Sequence, residues 1–382
     1  MERIAFIWGD TFIYWSQILL VLAAVTAAAF YGAFYIKKEG NVFACVVSIL
    51  LTMVIGIPLS RLVHWYARTP VYESFAAAMT DYSQGGYALI GMFVGAFIAA
   101  ALLRLLQVSR SLPRMLDCMA VAGSIGIAVG RLASLFNTSD RGMILADEFT
   151  FPLTAPVANA VSGMAENRLA IFMIQSALAA VIAVILILYM LWRFVIRKKH
   201  PDGDIFLLFL LLYCSCQVVC DSPRYDSLYF RSNGFVSIVQ IFGLLALLVP
   251  IVLFSIRMVR RTGFKVYHVI PWVIIGGALG LAGYMEYFVQ RNGHRALLAY
   301  TVMSGAMLVV MLTGLVVRCI GNWHMTRKVS PVTEVIPVAV PELQEIPEAE
   351  AEAVETVEVE AAEAEAAETE VPEAETEVPE AE

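Results

Sequence analysis

An all-α, polytopic membrane protein is predicted by three features of this 382-residue sequence. Nine apolar runs occur along it, each long enough to cross a hydrocarbon core about 30 Å thick. The chain is 59% hydrophobic and only 15% charged, and its mean hydropathy is +0.74. Soluble domains carry about 25% charged residues, so this composition excludes a soluble enzyme. The net charge of −7 conceals an asymmetry: 18 of the 33 acids lie between Glu334 and Glu382, where there is no Lys or Arg. The remaining 15 acids face 26 basic residues, which leaves the apolar body at +11 and suited to anionic lipid.

The runs fall at roughly 12–36, 42–64, 86–106, 115–136, 170–194, 205–222, 235–256, 267–288 and 297–319. Arg3 is the one basic residue before the first run, and the apolar stretch is too long for a signal peptide, so it is expected to be a retained span. Arg61 closes the second. Glycines punctuate the third and fourth (Gly85, Gly86, Gly91, Gly95, Gly123, Gly126, Gly130) and permit close helix packing. Gly85-Gly86 opens the third run after a polar stretch, where backbone N–H groups are exposed to an anion. Arg131 ends the fourth run, Asp221 and Arg224 the sixth, and Glu286 the eighth.

Basic residues concentrate at one set of helix ends, Lys37, Lys38, Arg193, Arg260 and Arg261 among them. The positive-inside rule then places the N-terminus outside and the C-terminus in the cytoplasm. From Ser330 the sequence becomes a loose repeat of Glu, Ala, Val and Pro that buries too little apolar surface to fold, so a disordered cytoplasmic tail is expected. The predicted divisions are a seven-helix domain at 1–262, two additional helices at 263–329, and the acidic tail at 330–382.

Charged side chains inside a span cost about 2.5–3.5 kcal/mol on insertion scales and are functional candidates by default. Arg61, Arg131, Asp221, Arg224 and Glu286 all fall at the outer ends. The three guanidiniums are expected to converge on one polar pocket suited to a phosphate, since Arg binds its oxygens bidentately and stays charged when desolvated. The six cysteines lie in apolar stretches with neither Cys-x-x-Cys nor His-rich spacing, so they read as buried thiols. No metal or other cofactor is expected, and no nucleic-acid partner.

The run Asp117-Cys118-Met119-Ala120, then Ile125-Gly126, then Gly130-Arg131-Leu132-Ala133-Ser134-Leu135-Phe136-Asn137-Thr138-Ser139-Asp140-Arg141-Gly142 resembles the signature of prolipoprotein diacylglyceryl transferases. That signature reads D-x-x-A, L-G, then G-R-x-[G/A]-N-F-x-N-x-E-x-x-G at the same spacing. Ser60 to Tyr66 looks like the family's G-x-R-x-x-Y segment, and Gly85 to Gly91 like its G-G-I-A-I-H-G stretch. Gln217, Asp221 and Arg224 keep the spacing of its R-x-x-x-E-x-x-R, and Gly234 to Gln240 is similar to the start of its last helix. The resemblance covers about residues 12–257. It departs at Ile90 (family His), Ser134 (Asn), Ser139 (Glu, with Asp140 one place on), Gln217 (Arg) and Asp221 (Glu), and the family's H-P-T-Q-L-Y-E segment is not recognisable around Leu169 to Gln175.

The resemblance implies transfer of the diacylglyceryl group of phosphatidylglycerol to the lipobox cysteine of a prolipoprotein signal peptide, at the outer face of the bacterial cytoplasmic membrane. Carried over, Arg131 with Asn137 would hold the lipid phosphate. Arg61, Gly85, Gly86 and Tyr87 would line the lipid site, Arg224 would favour the thiolate, and Asp140 and Asp221 are the candidate bases, with His64 a possible substitute. A second class stays open, a homologue that binds phospholipid without transfer. A transporter rests on helix number alone, and no internal inverted repeat supports it.

Overall fold

The computed structural model describes residues 4–323 apart from 10, 81–85, 147, 159–162, 196–201 and 231–232. The chain divides into two units, Met1–Arg327 and Lys328–Glu382. The acidic tail, expected to be disordered, lies outside the described residues, as does Gly85.

Each predicted run has its helix: α1 (Trp15–Glu39), α2 (Val42–Ala67), α4 (Leu89–Leu105), α5 (Leu112–Arg131), α6 (Ile171–Val195), α7 (Asp204–Asp221), α8 (Ile238–Thr262), α9 (Ile270–Arg291) and α10 (Ala296–Trp323), with a short α3 (Phe75–Thr80) between α2 and α4. Among the described residues eight helices are long and apolar enough to cross a membrane. The ninth, α4, has 17 residues, about 25 Å of rise, and is shorter than the run that predicted it. Its start is delayed because the Ser60 hydroxyl donates to the Ala88 carbonyl at 2.7 Å and the Ala88 N–H donates to the Ser60 carbonyl at 3.1 Å, which keeps 86–88 out of the helix and against α2.

Below that bridge, α2 and α4 touch backbone to backbone. A Cβ on Gly91 would stand 2.2 Å from the backbone of Ser60, and one on Gly95 2.4 Å from Gly56 Cα. The glycines therefore set the helix separation, as small residues do where apolar lipid supplies no hydrophobic drive.

The core centres on α7, of whose 18 residues 14 are buried, with α5, α6, α8 and α10 packed around it. Its first turn is tied by charge. Asp117 of α5 accepts the backbone N–H groups of Gly203 and Phe206, both at 2.9 Å, satisfying orphan donors of a helix start. Asp204 accepts from Tyr189 of α6 at 2.7 Å, Arg257 of α8 at 3.1 Å and Arg318 of α10 at 2.7 Å. At the other end lie three antiparallel hairpins: β1 (Ile4–Trp8) with β2 (Thr11–Tyr14), β3 (Thr154–Ala158) with β4 (Ala165–Leu169), and β5 (Tyr229–Phe230) with β6 (Asn233–Ser237). The sequence did not announce them, because strands of two to five residues are too short for an alternating pattern.

α9 and α10 pack on each other, and α10 also packs on α7 and α8. Polar contacts fasten them at both ends: Arg318 to Asp204 at one, and Glu286 at the other, which accepts from Ser222 at 2.6 Å and Gln240 at 3.1 Å.

The crossing of α2 and α4 yields the first prediction. Gly95→Ala, which drives a methyl into Gly56, is expected to lower the unfolding temperature in detergent, at an overpacking cost of about 1–3 kcal/mol. Gly277→Ala in α9, where a Cβ meets nothing within 4 Å, is expected not to lower it. Differential scanning fluorimetry of both variants checks this, and equal shifts would contradict the close crossing.

Candidate functional site

Arg131 is the last residue of α5. Its stem remains on the helix while the guanidinium reaches the loop beyond. That loop passes through a 3-10 turn, Leu132–Leu135, and then a local turn in which the Asn137 side-chain oxygen accepts from the Ser139 N–H at 2.9 Å. Arg141 braces it, donating to the Asn137 carbonyl at 2.8 Å and lying over the Phe172 ring at 5.4 Å.

The turn delivers Asp140 with a left-handed φ of 56°, a conformation Asp tolerates better than most residues. Its backbone is held on both sides: the N–H donates to Asp226 at 3.0 Å, and the carbonyl accepts from Phe172 at 3.1 Å. The carboxylate is held as well. Oδ1 accepts from Arg131 Nη1 and Arg224 Nη2, each at 2.8 Å, and Oδ2 accepts from the Ser134 hydroxyl at 2.8 Å. Burial alone would raise this carboxyl, but the two guanidiniums and the Ser134 hydroxyl outweigh it and hold Asp140 well below the usual carboxylate range.

The two arginines differ in what they have left to offer. All three nitrogens of Arg224 are engaged, Nη2 with Asp140, Nη1 with Asp221 at 3.1 Å and Nε with Asp226 at 3.1 Å. Asp221 is itself fixed by the Ser237 hydroxyl, which donates to its Oδ2. Arg131 has one carboxylate partner, Asp140. Beside it lies the buried Tyr213 hydroxyl.

Arg61 lies near the end of α2, at the same end of the bundle. It is 1% exposed, donates to the carbonyls of Ala78 and, at 3.0 Å, Gly86, and lies over the rings of Tyr72 and Tyr87 at 5.0 and 5.6 Å. His64 stands beside Tyr72, with Nδ1 2.9 Å from its hydroxyl. Gly86 has φ +88°, and a Cβ there would stand 2.6–2.7 Å from Tyr72, Arg61 and His64, so only glycine lets the backbone lie against the guanidinium. Arg68, one turn past His64, donates to the Ser227 carbonyl at 3.4 Å and joins α2 to the loop that carries Arg224.

Of the three arginines expected to converge, Arg131 and Arg224 meet on a shared carboxylate, while Arg61 is gripped by Ala78 and Gly86. Asn137 shapes the loop through its own side-chain oxygen. The sequence reading missed Asp226, Tyr213, Ser237 and Gln240 as members of this region. The signal for Asp226 was an acid two residues beyond a motif arginine. Tyr213 gave none, since a tyrosine in an apolar run reads as packing.

Comparison with known proteins agrees with the resemblance read from the signature. The family model of prolipoprotein diacylglyceryl transferases matches residues 3–256. A phosphatidylglycerol–prolipoprotein diacylglyceryl transferase of Clostridium kluyveri is 24% identical over 257 residues, 66% of this chain and 96% of that protein. Proteins of the same name from Dehalococcoides mccartyi and Clostridium novyi are 23% and 25% identical, over 69% and 66% of this chain and 96% and 95% of their own lengths. In each case the shared length is the relative's nearly whole chain, and α9 and α10 lie past the end of the family match. With its arginine-bearing loop at one end of a multi-pass bundle and the family match running from residue 3 into α8, the chain belongs to the prolipoprotein diacylglyceryl transferase family.

Proposed function

We propose that this protein transfers the diacylglyceryl group of phosphatidylglycerol to the thiol of a lipobox cysteine in a prolipoprotein signal peptide, with residues 1–262 forming the transferase and 263–329 an addition to it. The observation that carries the reading is the meeting of Arg131 and Arg224, from two separately matched segments, on one carboxylate at one end of the bundle. The concentration of Lys and Arg at the opposite end supports an extracytoplasmic site, an outside N-terminus and a cytoplasmic C-terminus.

In the proposed reaction the cysteine thiol loses its proton to water, and the thiolate sulfur attacks the carbon of the diacylated glycerol that bears the phosphate oxygen. The carbon–oxygen bond breaks with its electron pair on the phosphate oxygen, so a thioether forms and glycerol phosphate departs. A thiol with a pKa of about 8.5 is only partly ionised at neutral pH, and nearby guanidiniums raise that fraction. Arg131, which has one carboxylate partner among the described residues, is assigned the lipid phosphate, with the Tyr213 hydroxyl beside it as a second donor. Arg61, Gly86 and Tyr87, with Gly85 before them, are assigned to the lipid headgroup and glycerol, and Asn137 to the shape of the loop.

Asp140 and Asp221 were the candidate bases. A carboxylate held ionised by two guanidiniums is a poor proton acceptor near pH 7, so Asp140 is assigned instead to fixing the two arginines in advance of substrate. Asp221, bound by Arg224 and Ser237, fixes Arg224 from the other side. Preorganised charge of this kind is the largest contributor in many transferase and hydrolase sites.

The test uses purified protein in vesicles containing phosphatidylglycerol with a peptide bearing a lipobox cysteine. Wild type is expected to give the thioether product by mass spectrometry, and Arg131→Ala to lower kcat/KM by about 100-fold or more. Wild-type protein stabilised by phosphatidylglycerol, yet giving no product across lipid compositions, would favour binding without transfer. The replacements Ile90 and Gln217 make that the competing reading, since Gln217 meets Gln175 as a neutral amide pair at 3.3 Å.

The Asp140 ion pairs also predict a pH signature. Because the folded-state carboxyl is held low, its contribution to stability is complete above the usual Asp range near 3.9 and is lost as pH falls below it. Asp140→Asn is expected to lower the unfolding temperature at pH 7, and the gap to wild type to narrow only below about pH 4. A gap that closed between pH 7 and 5 would show that Asp140 is not doubly paired.

A further inference from the structure

The polar chain ending on Arg224 begins outside the family region. Glu286 stands on α9, which lies wholly past residue 256, the end of the family match. Its Oε2 accepts the Ser222 hydroxyl at 2.6 Å and the Gln240 amide at 3.1 Å. We infer that Glu286 is a positioning residue for the transferase site, acting through Gln240, Ser237 and Asp221 on Arg224. The inference rests on the transferase reading given above.

The donor and acceptor pattern runs in one direction. The Ser237 backbone N–H can only donate, and it donates to the Gln240 side-chain oxygen at 2.9 Å. The amide NH2 of Gln240 must therefore point the other way, where Glu286 and, at 3.5 Å, the Val218 carbonyl accept it. With Gln240 so oriented, its backbone N–H donates to the Ser237 hydroxyl oxygen at 3.0 Å, and the hydroxyl hydrogen is directed to Asp221 Oδ2. That bond sets the plane of the carboxylate whose other oxygen takes Arg224 Nη1 at 3.1 Å. Arg224 in turn shares Asp140 with Arg131. Every member from Glu286 to Asp221 is buried, and in a low-dielectric interior each bond strengthens the next, so an acceptor removed at one end is felt along the line.

The same two added helices have a second attachment, Arg318 to Asp204, at the opposite end of the bundle and outside this chain of bonds. It separates docking from positioning. If Glu286 served only to fasten α9, loss of either attachment would have the same effect on catalysis.

The experiment compares full-length wild type, Glu286→Leu, Glu286→Gln and Arg318→Leu in phosphatidylglycerol vesicles. Glu286→Leu is expected to lower kcat about tenfold with KM changed less than about twofold, because a misplaced guanidinium costs turnover. Glu286→Gln, which keeps an acceptor oxygen for Ser222 and Gln240, is expected to restore most of it. Arg318→Leu is expected to lower the unfolding temperature while holding kcat within about twofold of wild type. Hydrogen exchange gives a readout that needs no turnover: backbone amides of 221–228 are expected to exchange faster in Glu286→Leu and not in Arg318→Leu. Equal losses in the two Leu variants, or no rescue by Gln, would overturn the positioning role. A wild type without transfer activity would defeat the transferase reading, and the exchange comparison would then decide the role of Glu286 by itself.

Discussion

The site depends on one carboxylate. Asp140 stands where the chain leaves α5, and it holds together two guanidiniums that reach it from separate segments, one ending α5 and one following α7. Two buried arginines side by side repel, and each carries a heavy desolvation cost. A shared carboxylate on an oxygen they both touch removes the repulsion and satisfies part of the hydrogen-bonding need at once. The surrounding details serve that placement: the left-handed turn at Asp140, the Ser134 hydroxyl, the Asp226 bond to the Asp140 backbone and the Arg141 brace. The division of labour between the arginines follows from counting their partners. Among the described residues Arg224 has a carboxylate on every nitrogen, whereas Arg131 has one carboxylate partner, Asp140, and the roles proposed for the two rest on that difference.

The helices were legible in the sequence because a bilayer imposes its own length on apolar runs, and nine runs gave nine helices with ends displaced by a few residues. The failure at α4 is instructive. Hydropathy extends the run through residues 86–88, but Gly86 and the Ser60–Ala88 bridge keep that stretch out of the helix, and no apolar scale registers a hydrogen bond between two chain segments. At the site, motif spacing located Arg131, Asp140, Asp221 and Arg224, all on the segments that carry the signature. It did not foresee that Arg61 would be gripped by backbone carbonyls, because the partners of an arginine are set by the path of other segments. Nor could it separate Asp140 as a base from Asp140 as an anchor, since a carboxylate's proton affinity depends on neighbours that only the fold assembles.

The departures from the family signature acquire physical content in the same way. Gln217 stands in place of an arginine and is buried against Gln175, one turn from the end of α7 and the start of α6, as a neutral pair that needs no counter-ion. Ser134 stands in place of an asparagine and still donates to the Asp140 carboxylate. Asp140 itself lies one position past the signature glutamate, and the left-handed turn brings the shorter, later carboxylate to the arginines.

The three-way grip on Asp204 bears on how the protein is made. Its donors come from α6, α8 and α10, so two of the three are still unsynthesised when α7 leaves the ribosome. A carboxylate at the start of the most enclosed helix then has only Tyr189 to answer it. The full set of donors to Asp204 is therefore assembled only once α10, the last helix to be made, has joined the bundle.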